Sequence, residues 1–220
     1  MRRIASSADL ATAPAVMLLA VKPQIMDAVF EPIAGHAGPG TLVLSIAAGR
    51  PIASFERHLA PGTAVVRAMP NTPAAIGRGI TVCCPNAHVS AAQRAACEAL
   101  LGAVGQVAWV DDEALIDPVT AVSGSGPAYV FLLAESLTKA GIAAGLAPEL
   151  AAKLARATVT GAGELLNRSD LEASTLRQNV TSPGGTTAAA LAVLMGEGGL
   201  DELMTRAVRA ATERGRELSK

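Results

Sequence analysis

The chain changes its hydrophobic period once, near Asp111, and that change limits the folds open to it. Before Asp111, short continuous apolar runs recur: Val16 to Val21, "TLVLSI" (Thr41 to Ile46), "TAVVRAM" (Thr63 to Met69), "GITVCC" (Gly79 to Cys84) and "QVAWV" (Gln106 to Val110). Helical patterns lie between them. Pro51 to Leu59 opens with proline at a permitted first-turn position. Ser90 to Leu101 opens with Ser90 and Gln93 at capping-box spacing. Strands apolar on both faces and separated by helices predict an α/β domain built on a βαβ-type sheet. The strand order is not legible.

After Asp111 the pattern is helical throughout: Glu113 to Val122, Pro127 to Ala140, Pro148 to Leu166, Thr187 to Met195 and Leu200 to Leu218. In the last, Leu200, Leu203, Met204, Ala207, Val208 and Ala211 fall on one face, with Glu202, Arg206, Arg209, Glu213 and Arg216 mainly on the other. The expected organisation is an α/β domain over residues 1–111 and an all-helical domain over residues 112–220.

Half of the residues are apolar, yet the aromatics amount to one Trp, one Tyr and three Phe. The core must therefore be built from Ala, Val, Leu and Ile. A net charge of −1 provides no electrostatic footprint for nucleic acid or an anionic membrane surface. No apolar run reaches the ~18 residues of a membrane span; "AVMLLAV" stops at Lys22. Arg2 and Arg3 have no apolar stretch behind them before Ala13, so no signal peptide is expected. Cys83, Cys84 and Cys97 form no CxxC pair. They predict buried thiols rather than a metal site or disulfide framework, and a cytoplasmic protein.

A doubly wound α/β domain holds its dinucleotide at the first βα turn, through a G-x-G-x-x-G loop and a helix N-terminus. No such loop follows any of the apolar runs. A βαβ unit takes about 30 residues or more, and only 15 residues precede Val16. The first half therefore begins in the middle of a fold: either the domain is an unusually small one, or it is Rossmann-like with its first βαβ unit missing from this chain.

Four stretches carry chemistry. "AVKPQ" (Ala20 to Gln24) follows the first strand, at the edge where open α/β sheets bind ligands. "SIAAG" (Ser45 to Gly49) follows the second, with residues small enough for a planar ring to approach the backbone. In "RAMPNTPAAIGRG" (Arg67 to Gly79), Pro70 and Pro73 restrict the backbone around Asn71 and Thr72. The fourth is a pair, "SGSGPAY" (Ser123 to Tyr129) and "TSPGGTT" (Thr181 to Thr187). The first of the pair could be a kink or a close backbone approach. In the second, Gly184 and Gly185 enter a helix whose free N–H groups suit an anion. No lysine follows at P-loop spacing, so a single carboxylate fits better than a nucleoside triphosphate. The plain alternative is a helix with a glycine-rich entry. His36, His58 and His88 have no plausible nucleophile partner, which leaves the chemistry to a cofactor.

Taken in order and spacing, "AVKPQ", "SIAAG", "MPNTP", "SGSGPAY" and "TSPGGTT" make the chain resemble pyrroline-5-carboxylate reductases over essentially its whole length. The resemblance implies a Rossmann domain followed by a helical dimerisation and substrate-binding domain, with NADPH or NADH as hydride donor. It implies a homodimer, in some members assembled into larger rings, and reduction of the C=N bond of 1-pyrroline-5-carboxylate to L-proline. Carried over, Ala20, Val21, Lys22 and Pro23 line the dinucleotide, Ile46, Ala47 and Ala48 pass beneath the nicotinamide, and Asn71 lies close by. Glu113, Asn179, Thr186 and Thr187 match the substrate pocket, shaped by Ser182, Gly184 and Gly185. Thr187 places its hydroxyl on the ring nitrogen as a hydrogen-bond donor or relay.

Two departures stand out. Against the family's pattern, about fifty residues bearing the Gly-rich fingerprint are absent. The His-Pro often found before the substrate loop is replaced by Glu172 and Ala173. The competing reading is a truncated, non-catalytic helical dimer partner without cofactor binding. A third is another imine or hydroxyacid reductase of the same architecture, against which "TSPGGTT" argues.

Overall fold

A computed structural model of the chain describes residues 7 and 10–218. Arg2 and Arg3 lie outside the described residues. Two compact units are present, one formed by residues up to Ser125 together with Arg209 onward, the other by Gly126–Val208.

The first unit is built on a five-stranded sheet in the order β1-β2-β3-β4-β5. Its strands are β1 (Val16–Leu19), β2 (Leu42–Ser45), β3 (Ala64–Met69), β4 (Gly79–Pro85) and β5 (Gly105–Trp109). β1, β2 and β3 run parallel, β4 is antiparallel to β3, and β5 is parallel to β4. The reversal at β4 has a local cause. The connection from Met69 to Gly79 is a single 3-10 turn, Thr72–Ile76, too short for the crossover that a parallel neighbour needs.

Helices α1 (Met26–Ile33), α2 (Ile52–Glu56) and α3 (Ala91–Leu101) connect the other strands. α3 begins with the expected capping box: the Gln93 N–H donates to Ser90 Oγ at 3.3 Å, and the Ser90 N–H to Gln93 Oε1 at 2.9 Å. α1 carries no sequence signal long enough to read, since only Met26 and Phe30 are buried and Pro32 sits in its last turn.

Residue alternation along the strands fills two cores. Met17, Leu19, Val43, Val65, Val82 and Cys84 face α1 and α2, where Phe30 and Phe55 meet edge to face at 5.3 Å. Leu42, Leu44, Ala64, Val66, Ala68 and Cys83 face α3, with Cys97 and Leu101. Adjacent Cys83 and Cys84 thus enter different cores, as period-2 geometry requires.

The segment after Asp111 begins with a 3-10 turn, Glu113–Leu115, capped by Asp112, whose Oδ1 accepts from the Ala114 N–H at 2.9 Å. α4 (Ile116–Val119) and a π-helical turn, Thr120–Gly124, follow. Ile116 is fully buried in the first core, so this stretch packs with the sheet although its pattern is helical.

The second unit is entirely helical. It holds α5 (Gly126–Ala143), α6 (Pro148–Arg168), α7 (Ala173–Asn179), α8 (Thr186–Leu194) and the first part of α9 (Leu200–Leu218). α5 and α6 pack on each other, and Ala151 and Ala155 are its only buried apolar residues among those described. Phe131, Leu132, Leu133, Leu165 and Val193 are exposed. Helices this apolar and this poorly covered need a further surface. Among the described residues no helix is long and apolar enough to cross a membrane.

Candidate functional site

The C-terminal ends of β1, β2 and β3 share one edge of the sheet, since these strands are parallel. Three of the expected stretches emerge there. After β1, Ala20 and Lys22 are exposed and Val21 and Pro23 half-buried, with the Ile25 N–H closing a turn onto the Lys22 carbonyl at 3.1 Å. After β2, the Ile46 N–H donates to the Leu19 carbonyl at 3.1 Å, Ala47 is buried, and Ala48 is exposed. The Ala47 N–H also donates to Ser45 Oγ at 3.3 Å. Small residues at this edge leave backbone open to a flat ligand.

After β3 lies Asn71, and its carboxamide is used at both ends. Nδ2 donates to the Ser123 carbonyl at 3.2 Å, and Oδ1 accepts from the Ile80 N–H at 3.0 Å. The structure thereby joins "MPNTP" to "SGSGP", two motifs that the sequence shows as separate.

Glu113 is engaged as well. Its Oε1 accepts from Arg67 Nη1 at 2.8 Å and from the Ile52 N–H at 2.9 Å. Arg67 lies on β3 with only 5% of its surface exposed, between Ser45 and Cys84 in the strand register. Arg67 was not among the residues singled out for a site. A charged residue within an otherwise apolar run was the signal available for it.

Asn179, Ser182, Gly184, Gly185, Thr186 and Thr187 belong to the helical unit. Asn179 ends α7 and is exposed. The Gly185 N–H closes a turn onto the Ser182 carbonyl at 3.0 Å, and Gly184 has φ +69°, a left-handed conformation open to glycine. A Cβ on Gly185 would lie 2.5 Å from Ser182 Oγ, so a side chain there would require the serine hydroxyl to move. Gly185 is the N-cap of α8 and offers no side-chain cap. The first-turn N–H groups therefore remain available, with the positive end of the helix behind them. Thr187 is half-buried, and its hydroxyl makes no hydrogen bond among the described residues.

The histidines take no part. His58 stands edge-on to Phe30 at 6.2 Å and accepts from Arg57 Nε at 3.0 Å. His88 lines a groove of about 530 Å³ with Gly38, Thr41, Thr63 and Gln93, where β2 and β3 begin, at the opposite edge from the strand-end loops. Burial pushes Cys83 up to about 12, and Cys84 and Cys97 to about 11, so all three are neutral thiols without nucleophilic character.

A Rossmann-like sheet followed by a helical dimerisation domain is the class that these features define. A family model for pyrroline-5-carboxylate reductase dimerisation matches residues 113–218. The chain is 46% identical to the pyrroline-5-carboxylate reductase of Pseudomonas aeruginosa over 216 residues, covering 98% of this chain and 79% of that one. It is 45% identical to that of Synechocystis, over 93% of this chain and 75% of the relative. Among solved structures, a pyrroline-5-carboxylate reductase from Coxiella burnetii superposes with a TM-score of 0.92 at 39% identity, covering 99% of this chain and 80% of that one. The Plasmodium falciparum pyrroline carboxylate reductase with NADP bound superposes with a TM-score of 0.81 at 32% identity, covering 99% and 82%. The chain belongs to the pyrroline-5-carboxylate reductase family.

Proposed function

We propose that this chain reduces the C=N bond of 1-pyrroline-5-carboxylate to give L-proline, using NADPH or NADH. The observation that carries the reading is the uncapped N-terminus of α8, entered through Gly184 and Gly185, with the Thr187 hydroxyl, unbonded among the described residues, in its first turn. The bound NADP of the Plasmodium falciparum relative supports a nicotinamide cofactor. The division of labour is residues 1–111 for the dinucleotide and 112–220 for dimerisation and substrate, which the family match beginning at residue 113 supports. The uncovered apolar helices support a homodimer, and three unpaired buried thiols support the cytoplasm.

Ala20, Val21, Lys22, Pro23, Ile46, Ala47 and Ala48 would hold the dinucleotide along the strand ends, with Asn71 supporting the third loop. Their fit rests on the exposed Ala20 and Ala48 and on the exposed Lys22 cation. The nicotinamide, when bound, supplies the hydride. The chain's own residues do the rest. N–H groups of Thr186 and Thr187 orient the ring carboxylate, with Ser182, Gly184 and Gly185 shaping their turn and Asn179 at the margin of the pocket. Fixing the carboxylate fixes the ring face presented for addition, which is most of the catalysis. The Thr187 hydroxyl donates to the ring nitrogen, polarising the C=N bond as nitrogen becomes an amine.

The test is oxidation of NADPH, and separately of NADH, by the purified chain with and without 1-pyrroline-5-carboxylate. Imine-dependent oxidation with proline as product supports the assignment. A folded dimer that oxidises neither cofactor refutes it for this chain and supports a non-catalytic dimer partner.

A further inference from the structure

The bond between Glu113 and the Ile52 N–H spans 61 positions of sequence and closes the loop that follows β2. The start of that loop is held by its neighbours, through Ile46 on the Leu19 carbonyl and Ala47 on Ser45 Oγ. Its end leads into α2, a helix of five residues whose N-cap, Pro51, has no side chain able to accept a hydrogen bond. So short a helix has little intrinsic stability. The Ser54 N–H turns back onto the Pro51 carbonyl at 2.9 Å, but the first N–H, that of Ile52, finds no acceptor within the helix. Glu113 supplies the missing acceptor from a distant part of the chain. Its carboxylate is set by Arg67, a buried guanidinium in a central strand, and the carboxylate is itself only 31% exposed.

We infer that Glu113, held by Arg67, is a positioning residue that caps α2 and fixes the 46–51 loop against the nicotinamide. This rests on the proposed place of that loop beneath the cofactor. It assigns to Glu113 a function on the dinucleotide side of the reaction, beyond its match to the substrate pocket. Both bonds fall on Oε1. A carboxylate is favoured in this place because it meets a helix N-terminus and a fixed cation together.

Three readouts on the full chain test this: NADPH affinity by fluorescence titration, the KM for the imine, and hydrogen–deuterium exchange of the peptide covering residues 46–56. Glu113→Ala should weaken NADPH about tenfold, the loss of one hydrogen bond to a charged group. It should leave the imine KM within about twofold and speed exchange in the 46–56 peptide by about tenfold, with other peptides unchanged. Glu113→Gln keeps an acceptor oxygen and should restore NADPH affinity to within about threefold of the parent. If Glu113→Ala does not fold, the double variant Arg67→Met, Glu113→Leu removes the pair without stranding a buried charge. It must show the same confined exchange. Unchanged NADPH affinity with a raised imine KM would overturn the inference and make Glu113 a substrate ligand. Faster exchange throughout the protein would overturn it too, leaving only a stabilising ion pair. A parent chain that binds NADPH but does not reduce the imine leaves the loop test in force while removing the reductase assignment. One with no NADPH affinity overturns both.

Discussion

The Asn71 carboxamide donates to the Ser123 carbonyl at 3.2 Å and so ties the loop after β3 to the π-helical turn before α5. The same side chain accepts from the N–H of Ile80, the second residue of β4. Asn71→Asp keeps the acceptor but turns an oxygen toward the Ser123 carbonyl. We expect it to cost about 1–3 kcal/mol, as for a part-buried acceptor left without its donor. Urea denaturation measures this, and a midpoint equal to that of the parent would show the tie to be dispensable.

Thr187 is proposed to act on the substrate alone. Thr187→Ala should lower kcat by about 10²-fold, within the range for one lost transition-state hydrogen bond. Thr187→Ser should restore most of it, and NADPH affinity should stay level in both. A parallel loss of NADPH affinity would place the threonine on the cofactor.

The buried thiols set the alkaline limb of stability. Desolvation raises Cys83 to about 12 and Cys84 and Cys97 to about 11, from an ordinary value of 9.0. On unfolding each thiol reverts to its ordinary value, so above that pH the unfolded chain holds fewer protons than the native one. Stability is therefore complete below about pH 9 and falls across the window from there to about 11–12. A variant with all three cysteines changed to Ala should start lower at pH 8, because small cavities remain, yet lose less between pH 8 and 10.5. Urea midpoints across that range provide the comparison, and parallel slopes would contradict the argument. Native protein at pH 8 should also fail to react with a thiol reagent.

Phe131 projects from α5 with 64% of its surface exposed, among Leu132 and Leu133. Phe131→Glu should shift the protein toward monomer in light scattering at micromolar concentration, since a charge in an apolar interface is left unpaired. An unchanged mass would mean that the dimer uses another face.

Much of this protein follows from local rules that act within a few residues. The five apolar runs became the five strands to within two residues at each end, and Ser90 with Gln93 formed their capping box. The long helices after Pro127 were set by continuous helical propensity. α7, with "ASTLRQN" and no buried residue, has no apolar period to read. The glycines of "TSPGGTT" specified their own turn, because a positive φ and the crowding at Ser182 Oγ are local facts.

What only the tertiary structure decided lies in bonds between distant segments. The sequence shows Glu113, Arg67 and Ile52 as unrelated residues on a helical stretch, a strand and a helix start. Strand pairing and the burial of Ile116 bring them within hydrogen-bond reach. The same holds for Asn71 with Ser123. The physical reason is common to both. Apolar periodicity records which face of an element is buried, but a single polar partner far along the chain leaves no period, and only the packed sheet fixes who meets whom.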